Sequence, residues 1–565
     1  MRYTGAELII RLIERQGVTT VAGVPGGMCL PLYDALARSR IRHVLARHEQ
    51  AAGFIAQGMA RATGRTEVCL ATSGPGVTNL LTAIADAKLD SVPIVAVTGQ
   101  VPTAMIGTDA FQEVDTYGLT VPITKHNFLV RSAGELLEVV PEAFRIAASG
   151  RPGPVLIDVP KDVQQQAIEV SRLPAPGKPD APPPPDAGAV ARAAALIQTA
   201  ERPVFLVGAG LVASGASSRL RALAEQGSIP VAATLHGLGA MPHDHPLFLG
   251  MVGMHAARAT NLLLEECNLL IALGMRFDDR ATGRAADFCP KARIVHVDID
   301  ASELGKIKHP TVAIAADVGD FLGRLAPLLA RHSRAPWLAR VAALRAAHGL
   351  RRPGAGDPFR PGAMIAPYGL IAQVAARAPE NCIVTSDVGQ HQMYVAQAFP
   401  FNFPRQWLTS GGLGTMGFGL PAAIGAALAQ PDRQVICFSG DGSLLMNLSE
   451  LATAAEEEVD VKLVLFNNGL HGLVHQQQAL FLGRRFIADR FRARPDFAAL
   501  ARGFGVPAVD LETASDPAAE LASALARPGP CLINAPIAEE EQVLPMVPPG
   551  GANREMIGGQ ADAVL

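Results

Sequence analysis

Near-continuous apolar runs of strand length, each followed by a stretch of helical length, recur from one end of this chain to the other. TVAGV, RHVLA, EVCLAT and PIVAVT come first, then PVFLVG, LLIALG and RIVHVDI, then CIVTSD, QVICFSG and VKLVLFN. A strand that is apolar at every position is buried on both faces, and an intervening helix supplies the crossover that parallel pairing requires. The pattern predicts α/β structure built from doubly wound parallel sheets. In such sheets ligands lie at the carboxyl ends of the strands, so the residues just after each strand matter most for function.

Two proline-rich breaks divide the pattern. Arg172–Gly188 (RLPAPGKPDAPPPPDAG) has the composition of a stiff, extended linker, and a weaker break lies around Arg351–Pro367. The pieces, 1–171, 189–348 and 366–565, are each of ordinary domain size. Hydrophobic residues make up 49% of the 565 and charged residues 18%, enough for a core in every piece. A formal net charge of −3 leaves no excess of basic residues for a nucleic-acid footprint.

The seven cysteines are scattered without a CxxC, which points to free thiols in a reducing cytoplasm rather than to disulfides or zinc. MRYTGAELIIRLIERQG enters an amphipathic helix directly and lacks the features of a signal or transit peptide. Gln406–Pro431 is uncharged and long enough to span a bilayer. It also holds six glycines and Pro421, so it reads as a buried loop feeding a helix, and no membrane span is expected. The tail GGQADAVL reads as a disordered end.

The richest constellation lies in the third piece. QVICFSG ends in Gly440-Asp441-Gly442-Ser443, a helix is expected over LLMNLSELATAAEEE, and VKLVLFN ends in Asn467-Asn468. A right-handed crossover makes the two strands parallel and sets Asp441 and Asn468 at one sheet edge. One carboxylate and one amide oxygen suit Mg²⁺, which takes few protein oxygens and fills its shell with phosphate. The glycines let backbone amides approach a phosphate near Ser443. Taken alone, GDGS reads equally well as a plain strand-to-helix turn. In the first piece, Arg47-His48-Glu49 follows RHVLA and opens a helix. An acid there is commonly just a dipole-favoured surface residue, and His48, with no second ligand at metal spacing, reads as scaffold.

GDG, 24 residues and NN resemble the motif of thiamine diphosphate (ThDP)-dependent enzymes. The similarity extends through GVPGG (23–27), residues 73–102, IGTDAFQEVDTYG (106–118), TKHN (124–127), GRPGPVLIDVPKDV (150–163), GMHAARATN (253–261), GMRFDDRATG (274–283), DVGQHQM (387–393) and LTSGGLGTMGFGLPAAIG (408–425). On these segments the chain resembles the acetohydroxyacid (acetolactate) synthase family of catalytic subunits. GLVHQQQ (472–478) and PMVPPGGAN (545–553) are most similar to the bacterial isozyme I class.

The resemblance implies three doubly wound domains: a pyrimidine-binding domain (1–171), an FAD-binding domain (189–348) and a diphosphate-binding domain (366–565). It implies a metal held by Asp441, Asn468 and the carbonyl of Leu470. ThDP falls to Gly26, Gly27, Val388, Gly389, Gln390, His391, Gly414, Gly442, Ser443 and Gly472, with Met416 wedged beneath it. Glu49 of a neighbouring subunit would meet the aminopyrimidine. FAD, as a largely structural cofactor, falls to Arg151, Gly208, Ala209, Gly210, Thr234, Leu235, Met254, His255, Gly274, Arg276, Asp278, Asp298, Asp317, Gln392, Gly411 and Gly412.

The implied reaction decarboxylates pyruvate and joins the product to a second 2-keto acid, in branched-chain amino-acid biosynthesis. Phe111, Gln112 and Lys161 fall on the substrate entrance, and Arg280 on the acceptor's carboxylate. Arg276 and Arg280 could instead form a structural ion-pair set with Asp278 and Asp279. Two positions depart from the family pattern: Ala256 replaces a glycine, and Gln477 replaces a tryptophan that would contact the acceptor's alkyl end. The resemblance also implies an active site shared between subunits, hence at least a homodimer (dimer or tetramer), and a separate small regulatory subunit. A pyruvate oxidase is the alternative within the same fold.

Overall fold

The computed structural model describes residues 1–348, 358–359 and 364–558. Most of the second proline-rich break, and all of GGQADAVL beyond Gly558, lie outside those residues.

A short strand β1 (Arg2–Thr4) leads into the helix Gly5–Arg15, whose start is fixed by reciprocal Thr4 and Glu7 side-chain caps. Six strands then form the first sheet: β2 (Thr20–Gly23), β3 (Arg42–Leu45), β4 (Glu67–Ala71), β5 (Ile94–Gln100), β6 (His126–Leu129) and β7 (Val155–Pro160). β8 (Ala167–Glu169) returns antiparallel to β1 and closes this part of the chain. The second sheet contains β9 (Pro203–Val207), β10 (Val231–Ala233), β11 (Phe248–Met251), β12 (Leu269–Leu273), β13 (Arg293–Asp298) and β14 (Val312–Ala315). The third contains β15 (Ile383–Ser386), β16 (Trp407–Thr409), β17 (Val435–Gly440), β18 (Val461–Asn467), β19 (Ala508–Asp510) and β20 (Cys531–Pro536).

All three six-stranded sheets are parallel, in the orders β3-β2-β4-β5-β7-β6, β11-β10-β9-β12-β13-β14 and β16-β15-β17-β18-β20-β19. Strand order reverses near the middle of each sheet, between β2 and β4, β9 and β12, and β15 and β17, and the first and third sheets invert again at their β7-β6 and β20-β19 edges. At such a reversal the connections diverge and leave a crevice at the carboxyl ends.

The three parts pack into one body. The apolar core of the second sheet runs into that of the third, and a further cluster joins the first and third. At that second junction the helices Glu49–Thr63 and Gly419–Ala429 meet backbone to backbone. A Cβ on Gly58 would lie 2.1 Å from the Ala422 carbonyl oxygen, and one on Gly425 would lie 2.0 Å from that of Ile55. The uncharged stretch is thus a buried loop and helix, as its composition predicts. No helix among the described residues is long and apolar enough to cross a membrane.

Two local expectations change. The run after GDG is a single turn at Asp441–Leu444 followed by a helix only at Glu450–Glu456. Asn447 interrupts it, because its side-chain amide donates to the Gly417 carbonyl (2.7 Å) and to Gln50 (3.2 Å). The proline-rich linker is laid against the helix Leu136–Ala148, with Gly177 pressed on the Pro141 carbonyl and Asp180 paired to Arg145. All seven cysteines are buried and free.

Candidate functional site

The parallel register of β17 and β18 sets Gly440 opposite Phe466, so the turns that follow carry Asp441 and Asn468 to the same edge. Asp441 is buried. Its carboxylate accepts from the Gly442 N–H (2.8 Å) and the Gly469 N–H (2.6 Å). Burial outweighs these bonds and pushes its pKa up to about 6. Among the described residues no Lys or Arg forms an ion pair with it. Asn468, also buried, accepts from the Leu470 N–H at 3.1 Å. A carboxylate taken out of water without a cation, beside an amide oxygen, fits a hard divalent ion.

An open cavity of about 770 Å³ occupies the β15/β17 reversal. It is lined by Asp441, Asn468, Leu470, Val388, Gly389, Gln390, His391, Gly414, Met416, Gly442, Ser443 and Gly472, every third-domain residue assigned above to metal or ThDP. The Ser443 hydroxyl donates to the Val388 carbonyl at 2.7 Å, tying the turns after β15 and β17 together. His391 Nε2 is buried without a partner, and burial lowers the imidazole's pKa to about 3, so it stands neutral. A Cβ on Gly442 would lie 2.9 Å from the His471 ring and one on Gly472 2.0 Å from Gln390 Oε1. The glycines let these side chains close in on the turns, and the unpartnered His391 nitrogen is left for a polar atom of a ligand such as a diphosphate.

A second, larger cavity of about 1610 Å³ adjoins the first, sharing Val388, Gly414 and Leu473 with it. Its walls include Thr234, Leu235, Met254, His255, Arg276, Asp278, Arg280, Gln392, Gly411, Gly412 and Gln477. His255 Nδ1 is buried and unpartnered, and burial lowers that imidazole's pKa to about 4. The remaining residues assigned to FAD stand off this wall. Gly208, Ala209, Gly210 and Gly274 sit at the β9/β12 reversal, where a Cβ on Gly210 would lie 2.7 Å from Gly274 Cα. Asp298 ends β13, Asp317 caps the helix Val318–Leu325, and Arg151 pairs with Glu303 at 2.8 Å and Asp300 at 3.4 Å.

Of the alternative RFDDR ion-pair set, only an Arg280–Asp279 contact forms among the described residues, while Asp278 caps the turn Asp279–Thr282. The Arg280–Asp279 pair is loose, at 3.9 Å, with both side chains exposed. Ala256 is buried and does not line the cavity. Of Gln476-Gln477-Gln478, only Gln477 faces the cavity. Gln476 is tied to Val543 and Gln390, and Gln478 to Ile487.

Glu49 lines neither cavity. It begins the helix Glu49–Thr63, capped by His48, whose Nδ1 accepts from the Gln50 N–H at 3.1 Å. Its carboxylate takes a 3.0 Å bond from Asn79 and lies beside Gly76, at the β2/β4 reversal. Gly26 follows β2 and packs on Thr72, with Gly27 beside it facing open space. The Gln112 backbone approaches Gly74, and Phe111 beside it is 81% exposed. Lys161 opens the short helix after β7. The Glu49 cluster and the two cavities thus share no lining residue.

Residue pattern alone missed Asp387, Gln476 and the pair Asp86 and Asp90. The last two sit one helical turn apart on Pro75–Leu89 and its C-cap, a spacing that places both on one face. Asp387 accepts from Val388 N–H (3.0 Å) and Gly417 N–H (2.8 Å), linking the segments around the first cavity.

Comparison with known proteins accounts for this arrangement. Residues 3–119 match the thiamine pyrophosphate enzyme N-terminal TPP binding domain, 190–325 the central domain, and 387–535 the C-terminal TPP binding domain. The acetolactate synthase isozyme 1 large subunit of Escherichia coli K12 is 57% identical over 558 residues, covering 99% of this chain and 98% of that protein. The chain belongs to the acetolactate synthase large subunits, within the ThDP-dependent enzymes. An acetolactate synthase large subunit of Parasynechococcus marenigrum is 47% identical, covering 98% of this chain and 91% of its own. A probable large subunit of Methanocaldococcus jannaschii is 46% identical over 97% and 94%. Membership of this family explains why one chain carries two TPP-binding domains with a third between them.

Proposed function

We propose that this chain converts two pyruvate molecules to 2-acetolactate and CO₂, and joins pyruvate to 2-ketobutyrate to give 2-aceto-2-hydroxybutyrate. The observation that carries the reading is the continuity of the two cavities at Val388, Gly414 and Leu473, with Asp441 and Asn468 in one and Arg280 and Gln477 in the other.

Asp441, Asn468 and the Leu470 carbonyl would hold Mg²⁺, with Gly442, Ser443 and His391 around the diphosphate. When bound, ThDP supplies the carbon nucleophile and electron sink that 2-keto acid decarboxylation needs. Met416, on the cavity wall, would support the cofactor from one side. Glu49 of a second copy would hold a proton at the aminopyrimidine ring, which requires at least a homodimer. Arg280, loosely paired and exposed, is available to orient the acceptor's carboxylate by a charge-assisted bond. Gln477 meets the acceptor's alkyl end, and Phe111, Gln112 and Lys161 of the Glu49 half-site exclude water and position substrate. The larger cavity, with Arg276, Gly411, Gly412 and the unpartnered His255 on its wall, would take FAD as a structural ligand. A cytoplasmic location and a separate regulatory subunit complete the reading.

The test incubates purified protein with pyruvate, Mg²⁺ and ThDP, with and without FAD. Acetolactate formation that depends on FAD is the expected result. Hydrogen peroxide in place of acetolactate would overturn it.

A further inference from the structure

The segment Ser410–Gly417 belongs to both cavities: Gly411 and Gly412 line the larger, Met416 the smaller, and Gly414 both. It lies between β16 and the helix Gly419–Ala429 and has no ladder of its own to fix it. Its geometry comes from across the domain junction. Asp86 is fully buried, and one of its carboxylate oxygens accepts from the Ser410 hydroxyl and from the Thr415 hydroxyl (2.9 Å). The Ser410 hydroxyl oxygen in turn accepts from the Thr415 N–H at 2.8 Å, closing a tight loop.

Asp90 accepts from the backbone N–H of Gly411 (3.1 Å) and Gly412 (2.7 Å), and lies 3.1 Å from His236 Nε2 on the wall of the larger cavity. Arg61 ties the carboxylates together, donating to Asp90 (2.8 Å), Asp86 (3.3 Å) and the Thr409 carbonyl (3.0 Å). Nearly every polar group of the two carboxylates is therefore spent on this one segment and its clamp.

We propose that Asp86 and Asp90 are positioning residues that set the Ser410–Gly417 segment for both cavities at once. Occupation of each cavity then depends on the same two carboxylates of the first domain. The inference rests on the reading that ThDP and FAD occupy these cavities.

The experiment strips the purified protein of cofactors and titrates it with FAD, read by flavin fluorescence, and with Mg²⁺–ThDP, read by calorimetry. Asp90→Asn removes the charge that two N–H donors and a guanidinium address. It is expected to weaken both ligands about tenfold, with kcat recovering at saturating cofactor. Thr415→Val removes a single bond and is expected to weaken both a few-fold. Arg334→Gln is the structural control. That guanidinium is buried on the Ala200, Gly227 and Ile197 carbonyls, away from either cavity, so the variant lowers Tm without moving either titration.

Wild-type affinity in Thr415→Val and Asp90→Asn, or a change confined to one ligand, would overturn the inference. If Asp90→Asn fails to fold, Thr415→Val decides. A wild-type chain that binds ThDP but no flavin would overturn this inference together with the flavin part of the reading, and is distinguished by the wild-type titration alone.

Discussion

The Asp441 carboxylate accepts a hydrogen bond from the Gly469 N–H at 2.6 Å, tying the turn after β17 to the turn after β18. That bond holds in register the two turns that carry Asp441 and Asn468, the residues proposed to take Mg²⁺. Burial works against it, raising the carboxyl's pKa to about 6. The buried carboxylate is therefore a destabilising feature that a cation would relieve. Asp441→Asn removes the buried charge while keeping the side chain's size. The expected outcome is Mg²⁺ affinity reduced by about 10–100-fold, with a metal-free Tm that no longer carries the carboxyl's titration. Metal titration and calorimetric melting check both parts.

Gln477 faces the same cavity as Arg280, while its neighbours Gln476 and Gln478 turn away into hydrogen bonds with Val543 and Ile487. An indole at this one position would add apolar surface for the acceptor's extra methylene. A methylene in a formed pocket is worth about 1–3 kcal/mol. Gln477→Trp is expected to raise the ratio of 2-aceto-2-hydroxybutyrate to 2-acetolactate by roughly tenfold in a competition with equimolar keto acids. An unchanged ratio would contradict this assignment of the side chain.

The parallel sheets were legible because β2, β9, β15, β17 and β18 are buried on both faces and largely apolar, and a pattern of that kind has few other folds. The placing of Asp441 and Asn468 at one sheet edge was legible because strand ends and glycine turns are local in sequence. β10, β16 and β19 span only three residues each, and their pairing is decided by neighbours remote in the chain. For the same reason Asp86 and Asp90 carried no visible role: their partners, Ser410, Gly411, Gly412 and Thr415, lie more than three hundred residues away. The division of the site between two half-sites was implied only by resemblance, since nothing about RHE by itself says which surface it meets.

The contact of Gly58 with the Ala422 carbonyl predicts a large stability effect from a single methyl. A Cβ there would lie 2.1 Å from backbone that a helix–helix contact holds in place. Gly58→Ala is expected to destabilise the protein by about 3 kcal/mol despite the better helix propensity of alanine. Denaturant melts would show a lower midpoint with an unchanged slope.

Glu67, at the start of β4, is 4% exposed, and burial raises its pKa to about 7, with Arg65 only partly offsetting the effect. The folded-state value lies above the unfolded one, so the folded chain holds the proton more tightly. The stability this gives is present below about pH 4.5 and lost as pH rises through 7. Glu67→Gln lacks the titration. Its stability relative to wild type is therefore expected to rise between about pH 5 and pH 7 and level off above, by of order 3 kcal/mol. Parallel denaturant melts across that range, subtracted pairwise, isolate the effect.

The central claim is that Glu49 and Asp441 serve one active centre from two copies of the chain. Mixing separately inactive Glu49→Gln and Asp441→Asn proteins, under conditions that let subunits exchange, tests it directly. Mixed dimers would hold one intact centre of two, so the account predicts acetolactate formation recovering to about a quarter of the wild-type rate. A mixture that exchanges subunits but stays inactive would contradict it.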